Sequence, residues 1–114
     1  MKYNAGLQMN NYIGTRNVRS ILRGTNLEPD NLKNIKINGQ TRGCSGFIRN
    51  KDTNKVCYIT TEPFFDHGKG SGLFGNTRNA VMMRTAKSNT DYTGGANQWL
   101  PVEDIARMAA RLTS

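Results

Sequence analysis

The run Cys44-Ser45-Gly46-Phe47-Ile48-Arg49-Asn50-Lys51-Asp52-Thr53-Asn54-Lys55-Val56-Cys57-Tyr58-Ile59-Thr60-Thr61 carries the clearest local signal in this chain. Two stretches rich in aromatic and β-branched residues flank Asn50 to Asn54, whose Asn, Asp and Lys residues suit a turn. The run therefore reads as a β-hairpin, with Cys44 to Arg49 and Lys55 to Thr61 as its arms. In the second arm Val56, Tyr58 and Thr60 share one face, while Cys57, Ile59 and Thr61 share the other. Apolar groups on both faces place this arm inside a sheet rather than at its rim.

Working outward, Ile35-Lys36-Ile37 alternates and meets Asn38-Gly39, a strong turn signal. Asn26 to Lys33 contains Pro29 and reads as a loop or a helical turn. Upstream, Thr15 is expected to cap a short helix that Gly24 ends. Val18, Ile21 and Leu22 fall on one face of it, and Arg16, Arg19 and Arg23 on another. Downstream, Ala80 to Ala86 is a strand candidate, Asn89 to Gly95 is turn chemistry, and Asn97-Gln98-Trp99 resumes a short strand. Pro101 suits the first turn of a closing helix with an apolar stripe of Val102, Ile105, Ala106, Ala109 and Leu112. The expected fold is α+β: one antiparallel sheet of about four to five strands, with a short N-terminal helix and a C-terminal helix packed on it.

A length of 114 residues fits one domain, with residues 1–14 as an extended arm and 62–79 as a long Gly-rich loop. Only 36% of residues are apolar, so the core is expected to be thin. No run approaches the roughly 18 apolar residues that span a bilayer. The opening Met1 to Gly14 lacks an apolar stretch of signal-peptide length, which points to a cytoplasmic protein and no membrane partner. Cys44 and Cys57, on the two arms of one hairpin, are then expected as reduced thiols, with a disulfide as the alternative.

Sixteen Lys and Arg against eight Asp and Glu leave a net charge of +8, and no acid precedes Glu28. A field of that size attracts nucleic acid, an anionic membrane or an acidic protein. The arginine face of the first helix is the sharpest cationic feature, able to track a phosphate backbone or to stand as a solvated face. Gly70-Ser71-Gly72-Leu73-Phe74-Gly75 has the spacing of a dinucleotide loop, but a strand rather than a helix is expected after it. A flexible loop whose Lys69 meets a partner's phosphates fits better, with Phe74 as an interface aromatic. His67 is the sole histidine, and the close Cys pairs of structural zinc are missing, so no metal and no cofactor are expected. Catalysis is not expected either: His67 with Cys57 or Cys44 is the nucleophile–base set on offer. Trp99 suits core packing, the commoner fate of a lone Trp, or an interface.

Two stretches together carry a resemblance. Gly46-Phe47-Ile48-Arg49-Asn50 through Val56 to Glu62 is followed by Met83-Arg84-Thr85-Ala86-Lys87 and then Asp91-Tyr92-Thr93-Gly94-Gly95-Ala96-Asn97-Gln98-Trp99. This hairpin and the pattern R-T-A-K…D-Y-T-G-G-x-N-x-W, spanning about residues 44–112, resemble small accessory domains of plasmids, conjugative elements and phages of low-GC Gram-positive bacteria. Some proteins of such elements are anti-CRISPR proteins that block type II effector nucleases. The resemblance implies a mobile-element protein acting inside a bacterial cell. It implies stoichiometric inhibition of a type II CRISPR effector ribonucleoprotein, by contact with the effector, its guide RNA or its DNA. A basic accessory protein of element transfer or replication, binding nucleic acid alone, is the alternative. For either, the expected contact residues are Arg16, Arg19, Arg23, Lys69, Phe74, Arg78, Arg84 and Lys87.

Overall fold

A computed structural model describes residues 13–37, 41–61, 80–92 and 98–114. The order of elements is α1 (Thr15–Leu22), β1 (Leu27–Ile37), β2 (Thr41–Asn50), β3 (Val56–Thr60), β4 (Ala80–Ser88), β5 (Asp91–Tyr92), β6 (Gln98–Pro101), a 3₁₀ turn (Val102–Asp104) and α2 (Ile105–Leu112). The strands β1-β2-β3-β4 lie side by side in that order, and β6 pairs with β4. These five main strands form one antiparallel sheet, and the two-residue β5 pairs with the last residues of β4. The α+β architecture is the expected one.

The β2–β3 hairpin forms as its sequence demands, with Phe47 opposite Tyr58 and Ile48 opposite Cys57. All five residues of β3 are buried, which confirms it as an interior strand. On one face Cys44, Ile48, Cys57, Ile59, Val81 and Met83 join Val18, Leu22, Ile105 and Ala109 of the two helices in the main core. On the other face Phe47, Val56, Tyr58 and Met82 make a smaller cluster. The Phe47 and Tyr58 rings lie 5.4 Å apart at 57°, a tilted contact of the favourable kind.

Several expectations need correction. Residues 27–33 are strand, not loop or helical turn. Pro29 is tolerated because β1 is the edge of the strand order, where a missing N–H costs least. The local turn chemistry instead makes a bulge: between the pairs Asp30–Phe47 and Lys33–Ser45, two residues of β1 oppose the single Gly46 of β2. Asn31 takes φ 56° there, a left-handed conformation that Asn accepts more readily than most residues. A Cβ on Gly46 would lie 2.4 Å from both the Asn31 carbonyl oxygen and Leu32 Cα, so only glycine fits. The second strand begins at Thr41, earlier than Cys44.

Three further corrections concern element ends. The N-cap of α1 is Gly14, with no side-chain cap; the Thr15 amide instead donates to Asn34 Oδ1 at 3.1 Å. Gly24, at φ 82°, does follow the helix end as expected. Asn89 and Thr90 turn, but Asp91–Tyr92 pairs as strand rather than continuing the turn. Pro101 closes β6, and the helix begins only after the 3₁₀ turn. The Asn38-Gly39 turn, most of the N-terminal arm and the 62–79 loop lie outside the described residues.

The bulge matters for shape. Asn89 Nδ2 donates to Asp30 Oδ1 at 3.0 Å, and Asn31 Nδ2 donates to the Asn89 carbonyl at 2.8 Å. β1 and β4 are three strand spacings apart, roughly 14 Å in a flat sheet. Direct hydrogen bonds from the β4–β5 turn to the β1 bulge therefore imply that the sheet curls towards the face of the Phe47–Tyr58 cluster, away from the helices.

Candidate nucleic-acid interface

The β2–β3 turn organises one end of the molecule, and a single buried side chain holds it. Asn50 is 5% exposed. Its Oδ1 accepts from the Asp52 and Thr53 amides at 2.8 and 3.2 Å and from Asn26 Nδ2 at 3.1 Å. Its Nδ2 donates to Thr113 Oγ1 at 3.2 Å. Thr53 Oγ1 adds a 2.6 Å bond to the Thr113 carbonyl, and the Lys51 amide a 2.8 Å bond to the Asn26 carbonyl. The turn is thereby tied to the chain leaving α1 and to the end of α2. Burying the Asn50 amide and the Thr113 hydroxyl is tolerable because both are hydrogen-bonded.

This arrangement gathers cations that are distant in sequence. A groove of about 240 Å³ is bordered by Arg19 and Arg23 of α1 and its C-terminal turn and by Lys51 of the hairpin turn, over Leu22, Leu27 and Pro29. Arg19, Arg23 and Lys51 are all exposed. A second cleft of about 390 Å³ lies on the other side of the turn, bordered by Lys55 and Lys87. Arg19 and Arg23 also stand near the C-terminal, negative end of the α1 dipole, where cations are favoured.

The other expected contact residues divide. Arg16 is exposed on the same helical face but does not border the groove. Lys87 is exposed and borders the second cleft. Arg84 is half-buried in mid-sheet opposite Tyr58 and lines neither cleft. Lys69, Phe74 and Arg78 lie outside the described residues, as do His67 and the glycine run. The Trp99 backbone pairs with Met82 in β6, as a short strand there requires. Lys51 and Lys55 were missed because a turn lysine reads as mere solvation. Their exposure was legible, but not the nearness of Lys51 to α1, which depends on the long-range bonds of Asn50 and Asn26, nor that of Lys55 to β4, which depends on the pairing of β3 with β4.

Two other arginines are engaged by carboxylates. Arg49 Nε and Nη2 lie 2.8 and 2.7 Å from Asp30 Oδ2, and its Nη1 donates to the Asn54 carbonyl and Oδ1 at 2.8 and 2.9 Å. The Asn89 hydrogen bond, followed by Arg49, holds the Asp30 carboxyl below its ordinary 3.8, against the opposing effect of burial. Arg107 pairs with Asp104 at 2.7 Å on the exposed surface of α2.

The two thiols are not set up as nucleophiles. Cys44 and Cys57 are free and buried rather than bridged. Burial pushes both thiols up to about 12, so the thiolate a nucleophile needs is disfavoured. Among the described residues no group of three His, Cys, Asp or Glu could hold a metal ion. Nor is any helix among them long and apolar enough to cross a membrane. No family model, no curated protein and no solved structure matches the chain.

Proposed function

We propose that the protein works by stoichiometric binding of a nucleic-acid phosphate backbone at the end organised by the β2–β3 turn. The observation that supports this most directly is the convergence of Arg19, Arg23 and Lys51 on one groove, all exposed. Their guanidinium and ammonium groups are of the kind that contact phosphate oxygens and release counterions. The net charge of +8 adds long-range attraction.

The sharper form of the proposal concerns the target. The likeness of residues 44–112 to accessory domains of mobile elements favours a type II CRISPR effector ribonucleoprotein, whose guide RNA and target DNA offer phosphate. Inhibition would then proceed by occupation, without turnover. A net-positive chain is unsuited to imitating DNA, so contact with RNA, DNA or a composite surface is the expected route. The broader form is a nucleic-acid-binding accessory protein of element transfer or replication.

A gel-shift titration against guide RNA and duplex DNA, with and without a type II effector and at two salt concentrations, separates the forms. Salt-sensitive shifts of bare nucleic acid are expected under the broader form. Shifts that require the effector, with loss of target cleavage, are expected under the sharper one. No shift in any lane, with full cleavage at large excess, would overturn both.

A further inference from the structure

The cleft beside Lys55 and Lys87 is built differently from the α1 groove. Its cationic border meets apolar side chains from both faces of the sheet: Val56 and Ala86 from the face of the smaller cluster, and Leu112 from the helix face. Ser88, whose hydroxyl is engaged by Thr90 at 3.1 Å, completes the lining. Arg49 also borders it, but its guanidinium is engaged by Asp30 and Asn54, so it stiffens the wall while the two lysines supply the available charge. Lys55 Nζ gives one hydrogen bond to the Ser114 carbonyl at 3.1 Å. An ammonium has three donors, so it keeps others for a ligand. A volume of about 390 Å³ lies within the range of small-ligand sites. Two ammonium groups suit the oxygens of one phosphate. The apolar side chains beside them suit a base or a sugar.

We infer that this cleft takes a single nucleotide unit, its phosphate at Lys55 and Lys87 and its base or sugar against Val56, Ala86 and Leu112. The same nucleoside phosphate can come from a free mononucleotide or from the phosphorylated end of a strand. The inference rests on the proposed attraction of phosphate to this end of the molecule, but it uses residues separate from Arg19, Arg23 and Lys51.

The test is calorimetric titration of the full chain with adenosine monophosphate, with inorganic phosphate as competitor. Short oligonucleotides ending in a phosphate or a hydroxyl distinguish the two sources. Saturable one-to-one binding is expected, with inorganic phosphate competing only weakly. Lys87→Ala, at an exposed position, should weaken it about tenfold, the scale of one charge-assisted hydrogen bond. Arg19→Ala with Arg23→Ala should leave it unchanged. Preference for the phosphorylated strand end identifies that end as the source, and equal binding of both oligonucleotides identifies the free nucleotide. Absence of saturable nucleotide binding, or full binding by a folded Lys87→Ala, would overturn the inference. If RNA binding then survives and depends on Arg19 and Arg23, the α1 groove stands and only this cleft falls.

Discussion

Arg49 and the arginines of α1 carry the same charged group into opposite circumstances. Arg49 lies across the inner curl of the sheet, where every nitrogen meets a partner in Asp30 or Asn54. Arg19 and Arg23 stand exposed beside a groove shared with Lys51. A charge count weighs them equally, but the structure does not. The cations of the curl hold strands together, and those at the turn remain available to a partner. The difference separates the part of a basic composition that folds the chain from the part that can serve binding.

The most damaging way to break the curl is to fill the space at Gly46. Gly46→Ala would drive a methyl group into the backbone of Asn31 and Leu32. It should cost about 3 kcal/mol, the upper range of overpacking, read as a lowered denaturation midpoint. An unchanged midpoint would mean that the bulge is not a tight crease. Asn50→Ala should cost about 2 kcal/mol, because it removes the acceptor of the Asp52 and Thr53 amides and the donor to the buried Thr113 hydroxyl at once. It should also weaken nucleic-acid binding by loosening Lys51 and Lys55. Retained stability would show that water replaces the amide.

Arg49→Gln sharpens the contrast. Its pair with Asp30 is partly screened, with side chains 28% and 20% exposed, so a loss of about 1 kcal/mol is expected. Salt-dependent binding should barely change. Arg19→Ala with Arg23→Ala should do the reverse, leaving the melting temperature nearly fixed and lowering affinity. Were the two variants to exchange these behaviours, the division of charges would be wrong.

The smallest effect is on pH dependence. The folded Asp30 carboxyl sits below its ordinary 3.8, so its contribution is complete above that pH and is lost as pH falls through the folded value. Asp30→Asn should flatten the acid side of the stability curve below about pH 4. A curve of unchanged shape would dissociate Asp30 from acid unfolding.

Much of the fold was legible from short-range pattern. The β2–β3 hairpin follows from alternation around a turn-rich run, and both helices follow from apolar stripes at Val18–Leu22 and Ile105–Ala109. β1 was not legible, because Pro29 and Asn31 are turn formers that an edge strand absorbs in a bulge. At the candidate interface, Arg19, Arg23 and Lys87 were visible as unpaired-looking basic positions in a basic chain. Lys51 and Lys55 were not, because their placement depends on Asn50 joining a turn to Asn26 and Thr113 and on β3 pairing with β4. Side-chain patterning reports which face a residue occupies, but not which distant turn folds over it.

The most direct test of the central claim is the salt dependence of affinity for a single-stranded RNA, compared between the wild type and the Arg19→Ala, Arg23→Ala pair. Wild-type affinity is expected to fall steeply between about 50 and 200 mM salt. The variant slope is expected to be shallower by about 1.4, at roughly 0.7 per lost phosphate contact on a single strand. An identical slope in the folded variant, or wild-type binding indifferent to salt, would contradict the claim.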